Sequence, residues 1–210
     1  TLLNGGTLVL GNNAALGSGA LVLKSGTTLD SNNTASLVNA VDLNDSLTLA
    51  GSHDLTLSGV ISGNGNLNKQ GASALTLSGN NTFNGALNVL NGSLNLIGNT
   101  GLGNADLSVG SGASVSISGL NNLDGLSGSG ALTLASGSAL QMGEGGSSSV
   151  YEGSISGDGH LIKAGIGKQE LNGNSTVGGG TRVLAGSLIV GSAAGSSASL
   201  ASDIDVAQGA

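Results

Sequence analysis

Short runs in which apolar and small residues alternate recur along this chain, and they leave it few folds. Leu8-Val9-Leu10, Leu21-Val22-Leu23, Leu47-Thr48-Leu49, Leu55-Thr56-Leu57, Leu75-Thr76-Leu77, Leu94-Asn95-Leu96 and Leu132-Thr133-Leu134 are all of this kind, each flanked nearby by glycine, asparagine or serine. A period of two over three to five residues, closed off by turn formers, predicts short strands with one buried face. No stretch holds a period of 3.6 for three turns, so the fold class is all-β.

A longer repeat lies over that alternation. Gly59-Val60-Ile61-Ser62-Gly63-Asn64-Gly65-Asn66-Leu67-Asn68-Lys69-Gln70-Gly71 aligns with Gly153-Ser154-Ile155-Ser156-Gly157-Asp158-Gly159-His160-Leu161-Ile162-Lys163-Ala164-Gly165 at a constant offset of 94. The register runs on without a gap, giving repeat copies 59–94 and 153–188. A second family of similar segments is Leu16-Gly17-Ser18-Gly19-Ala20-Leu21, Leu102-Gly103-Asn104-Ala105-Asp106-Leu107 and Gly128-Ser129-Gly130-Ala131-Leu132. Self-similarity of this kind marks a stacked-repeat architecture.

Strands this short form no stable hairpin alone. Asn-Gly at 4–5, 84–85 and 91–92 still allows local hairpins. The alternation of short strand and tight bend better suits a chain coiling on itself, each strand stacked on its equivalent one coil away. Composition agrees. Among 210 residues there are 40 glycines to make bends and no proline to break a ladder. With coils of about 20 residues, the expectation is one right-handed parallel β-helix of about ten coils over residues 1–210, read as a fragment of a longer chain.

Composition also removes function classes. Five basic against 12 acidic residues, net −7, argue against nucleic acid and anionic membrane surfaces as partners. Without cysteine there is no disulfide, thiolate metal site or thiol nucleophile. No run of about 18 apolar residues crosses a membrane as a helix, so insertion by this segment is not expected.

The first repeat copy resembles a known family. Its residues are Gly63-x-Gly65-x-Leu67-x-Lys69-x-Gly71, then Leu75-Thr76-Leu77-Ser78-Gly79-Asn80-Asn81-Thr82-Phe83-Asn84-Gly85, with a tail Val89-x-x-Gly92-Ser93-Leu94-x-Leu96. This is similar to the passenger-associated transport repeat of bacterial autotransporters, the type V secretion systems. The second copy, Gly157 to Val190, keeps the glycines and Lys163. It departs from the pattern at Gln169, where an apolar residue is usual, and at Val177, where an aromatic is usual. The resemblance implies an adhesin-like passenger at the cell surface of a Gram-negative bacterium, exported through periplasm and outer membrane. Its partner would be its own C-terminal β-barrel translocator, whose aromatic girdles place it outside this chain. The resemblance also implies that Gly153 to Ala210 lies near that barrel and helps initiate folding.

Chemistry-bearing groups are sparse. His53 stands beside Asp54, and His160 two residues after Asp158, but there is no Gly-x-Ser-x-Gly elbow. Asp42 with Asp45, Asp203 with Asp205, and Glu144 with Glu152 at the polar insert around Gly143–Ser149 are the paired carboxylates. They suit acid–base or glycosidase work only in a suitable groove, and read otherwise as solvated loop charge. Gly-x-Gly pairs at Gly17, Gly63, Gly101, Gly128 and Gly157 never extend to a phosphate-binding motif. Lys69 and Lys163 recur at one repeat position, either as a binding row or as charge at a strand edge or turn that discourages lateral pairing. Asn80 and Asn174 read as turn residues. A repeat-built ice binder would need a Thr-x-Thr ladder, which the sequence lacks. The expectation is a non-enzymatic stalk and adhesive surface with no catalytic residue, cofactor or metal, binding a host receptor or itself. A polysaccharide-active β-helix enzyme is the alternative.

Overall fold

The structure, a computed structural model, describes residues 1–24, 26–98, 102–192 and 197–210. Gly101 of the Gly-x-Gly pairs lies outside the described residues. Within them there is no helix, and all 26 strands pair in parallel, in a β-solenoid of about ten turns.

The strands stack in three columns along the rod. The first holds Leu47–Leu49, Leu67–Lys69 and the start of Leu87–Ile97, in register Leu47↔Leu67↔Leu87. The second column begins with Ala35–Leu37, Leu55–Leu57 and Ala74–Leu77. Two long strands, Leu87–Ile97 and Leu107–Ser118, run through both columns and merge them into one 17-stranded sheet. The third column is a four-stranded sheet ending at Ile61–Gly63 and a five-stranded sheet beginning at Leu120–Leu123. Between them the coil continues through the buried Phe83, with Thr82 N–H on the Ile61 carbonyl at 2.8 Å and Asn84 N–H on that of Gly63 at 2.9 Å.

The three-residue strand explains the architecture. In Leu-Thr-Leu the outer two side chains point inward and the middle one outward, giving the pattern buried, half-buried, buried at Leu47–Leu49 and Leu55–Leu57. Stacking puts each leucine on its equivalent one coil away, and each fully buried leucine contributes about 1.5–3 kcal/mol. Asn-Gly makes no hairpin among the described pairings. Asn91-Gly92 instead turns the corner within Leu87–Ile97, where the register shifts after Val89 and Gly92 takes φ +72°.

The polar insert around Gly143–Ser149 lengthens one coil, so that the step from Gly128 to its partner Tyr151 exceeds the step from Leu67 to Leu87. Here the ladder between Leu126–Gly128 and Ser149–Tyr151 keeps a single residue pair. Tyr151 fills the widened interior, fully buried, its hydroxyl donating to the Gly130 carbonyl at 2.7 Å. Burial pushes its phenol well above the usual tyrosine range.

Candidate functional site

The repeat lysines are neither a surface row nor an edge charge. Lys69 closes a strand of the 17-stranded sheet, whereas Lys163 closes a strand of the five-stranded sheet. The offset of 94 between the copies is not a whole number of coils, so the second copy starts one column out of phase. Both side chains lie inside the rod at 1% exposure. Lys69 Nζ donates to the carbonyls of Gln70 at 2.7 Å, Gly71 at 2.8 Å and Asn91 at 3.2 Å. Lys163 Nζ repeats this on Ala164 at 2.5 Å, Gly165 at 2.8 Å and Ala185 at 3.3 Å. Burial pushes both ammonium groups below the usual lysine value, partly offset by the charges of Asp54 and Asp124 respectively.

The bend that supplies two of these carbonyls needs glycine. Gly71 and Gly165 have φ of +59° and +65°, and a Cβ at Gly71 would lie 2.2 Å from the Ala50 carbonyl of the coil beneath. The conformation and the close approach each exclude a side chain.

Gln169, the departure from the repeat pattern, is buried too and repairs the broken ladder. Its Nε2 donates to the Leu126 carbonyl at 2.9 Å, and its Oε1 accepts from Leu126 N–H at 3.2 Å and Ser149 Oγ at 2.7 Å. It reaches across the coil of Ser149–Tyr151 to pair backbone groups there. Val177, the other departure, is buried as an ordinary core residue.

Outside, the 17-stranded sheet carries a feature that spans many coils. In the second column the outward residues stack as Ser36, Thr56, Thr76, Asn95, Ser116, Thr133, Ser156 and Thr176 over eight successive coils. In the first column Thr7, Thr28, Thr48, Asn68, Asn88, Ser108 and Ser127 stack over seven. Neither row contains a charge. Adjacent coils stand about 4.8 Å apart, and side chains bond along the rows, as from Asn88 Nδ2 to Asn68 Oδ1 at 2.8 Å. Polar residues about 20 positions apart in the sequence are thus lined up along the rod as mixed Ser/Thr/Asn rows. The first row ends at the insert, beyond which Val150, Glu170 and Ile189 follow.

The catalytic candidates are not brought together. Ser52 Oγ donates to Asp30 Oδ2 at 2.6 Å, not to a histidine. His53 Nδ1 bonds the Ser31 carbonyl at 2.9 Å, so that nitrogen carries the proton. Asp54 Oδ1 accepts from Ala74 N–H at 2.8 Å. Burial pushes the Asp30 carboxyl up, but the bonds from Ser52 and Ser31 and the nearby His53 outweigh it and hold it below its usual value. The cleft between His53 and Lys69 measures about 10 Å³, room for about one water. His160 is exposed beside a shallow hollow with Arg182, Asp203 and Asp205, where Arg182 Nε donates to Asp205 at 3.2 Å. Glu144 accepts from Gln141 at 2.6 Å, and Glu152 from Asn172 at 3.0 Å. Asp42 is half-buried on the outer face of the four-stranded sheet and Asp45 is exposed in a bend. Asn80 and Asn174 are exposed between strands.

Sequence reasoning singled out the two lysines and misjudged their surroundings, because charge is the usual sign of exposure. The one available signal was their place, directly after a Leu-x alternation that puts position 69 on the leucine face.

The family model described as the passenger-associated-transport-repeat matches residues 67–96 and 161–190. No significant match to the chain is found among curated proteins or among solved structures. Both matched segments begin on a buried leucine, contain the buried lysine, and end one coil beyond it. The chain carries two passenger-associated transport repeats wound into one parallel β-solenoid, consistent with an autotransporter passenger domain.

Proposed function

We propose that this segment is a stalk and contact surface of a secreted passenger at the surface of a Gram-negative cell, working without a chemical step. The observation that carries the reading is the pair of uncharged Ser/Thr/Asn rows on the 17-stranded sheet. A long, regular, neutral face offers many weak hydrogen bonds at a fixed spacing, so binding grows with length rather than with one pocket. Both aromatic rings are buried and unavailable for stacking on sugars. Such a face suits a host-surface receptor or another copy of the rod, and serves adhesion, aggregation or display. The repeat supports export, and the translocating partner is the passenger's own C-terminal β-barrel. No specific observation favours a polysaccharide-active enzyme.

The test places glutamate at every second coil of one row: Thr56→Glu, Asn95→Glu, Thr133→Glu and Thr176→Glu. The quadruple variant is expected to be displayed as well as the parent and to lose cell–cell aggregation and adhesion. Undiminished adhesion would overturn the role of the ladder. Turnover of neutral or acidic glycans that vanishes in His160→Ala would overturn the non-enzymatic reading.

A further inference from the structure

We propose that the buried lysine makes each repeat a two-coil cooperative unit that closes only when the following coil has been laid down. Each matched segment, 67–96 and 161–190, is longer than one coil, which takes the chain only from Leu67 to Leu87 in the first copy and from Leu161 to Thr181 in the second. The extra length holds the last acceptor. Lys69 and its third carbonyl, Asn91, both fall inside the first segment, and Lys163 and Ala185 inside the second. The separation is 22 residues both times.

The physical reason is the cost of a buried charge. An ammonium has three donors, and all three are used here by carbonyl oxygens. Two come from the bend that follows the lysine, and the third arrives only with the next coil. Beneath each head group lies a glycine of the preceding coil, Gly51 or Gly143, where a Cβ would stand 3.2 or 2.9 Å from Nζ. The ion pairs among the described residues are Lys168–Glu170 and Arg182–Asp205, so neither buried lysine has a carboxylate in contact. Its hydrogen-bond acceptors are backbone carbonyls, with Asp54 or Asp124 acting only at longer range, and an ammonium missing one carbonyl keeps a donor unpaired in the core.

The two copies place this device on different sheets, so no shared face of the rod requires it. What they share is the local path: lysine, left-handed glycine bend, and a carbonyl one coil on. Elsewhere, neighbouring coils are coupled by ladders and leucine stacking, which accumulate in small equal steps. At the lysines the step is large. A coil that carries one stays open until its successor closes it, and then the two open together.

Native-state hydrogen exchange of the whole chain, followed by mass spectrometry in rising low denaturant, tests this. Residues 67–77 and 87–96 are expected to merge into one opening with a common denaturant slope, as are 161–171 and 181–190. Independent opening of 67–77 and 87–96 would overturn the proposal. Lys69→Met keeps the side-chain volume without the charge. It is expected to speed exchange across 67–96 by about 10- to 100-fold and leave 161–190 unchanged, with the reverse for Lys163→Met. Unchanged exchange in both variants would show a space-filling role instead. The wild-type measurement decides the matter alone if a variant does not fold.

Discussion

A glutamine inside a leucine column looks like a defect until its partners are counted. At Gln169 the amide serves both the N–H and the carbonyl of Leu126, two coils away, because the intervening coil is pulled out of register by the insert. Replacing it with leucine, the apolar type expected there, restores the pattern, takes the amide from the Leu126 carbonyl and leaves the Leu126 N–H with Ser149 Oγ at 3.1 Å. Gln169→Leu is expected to destabilise the rod by about 1–3 kcal/mol, the cost of losing buried hydrogen bonds to the backbone. A urea melt reads this as a lower midpoint; an unchanged or raised midpoint would show that burial of the leucine outweighs the lost bonds. The sequence marked position 169 as a departure, but its reason lay in a strand 43 residues earlier.

Among the elements, the strand pair near the C-terminal end, Lys168–Leu171 on Ser187–Val190, is bridged by a carboxylate, since Glu170 on the first strand accepts from Ser192 just beyond the second. The hydrogen bond from Lys168, then that from Ser192, holds the Glu170 carboxyl below its usual value. A carboxyl with a lowered folded-state pKa contributes stability above its unfolded value, and loses it as pH falls through the lowered one. Acidification below about pH 4 is therefore expected to loosen Ser187–Val190 first, seen as lost amide protection after correction for intrinsic exchange. Glu170→Gln should show weaker protection at neutral pH and little further change on acidification. Equal acid sensitivity in both proteins would assign the effect to other groups. The strands themselves were legible as short period-two runs, such as Leu75-Thr76-Leu77. Their fusion into Leu87–Ile97 was not, because Asn91-Gly92 reads as a turn while the structure uses it as a corner within one strand.

Over the whole molecule, stability is a chain of neighbour couplings, each coil held by the coil on either side of it. Leu87 and Leu107, with a coil stacked on both sides, are fully buried. The family resemblance implies that Gly153 to Ala210 lies near the barrel and helps initiate folding. Deleting Gly153 to Ala210, including the residues outside the described set, is expected to reduce surface display of a passenger that retains its barrel. Display at the parent level would remove that role. The repeat was legible in the sequence as copies 59–94 and 153–188, and the family model matches within and just past each of them, at 67–96 and 161–190.

The alternation of leucine with small polar residues, read with the glycine bends and the missing proline, was enough to determine short parallel coils and roughly how many there are. Those properties are local: each follows from which way a side chain points on a three-residue strand. The tertiary structure alone decided what the coils bring together. Thr56 and Thr76 become neighbours only when stacking makes each coil a single step along the rod, and that step turns scattered polar residues into a ladder. The same step, set against the offset between the two repeat copies, sends the two lysines to different sheets. It also encloses them, because three carbonyls from two coils can solvate an ammonium as water would.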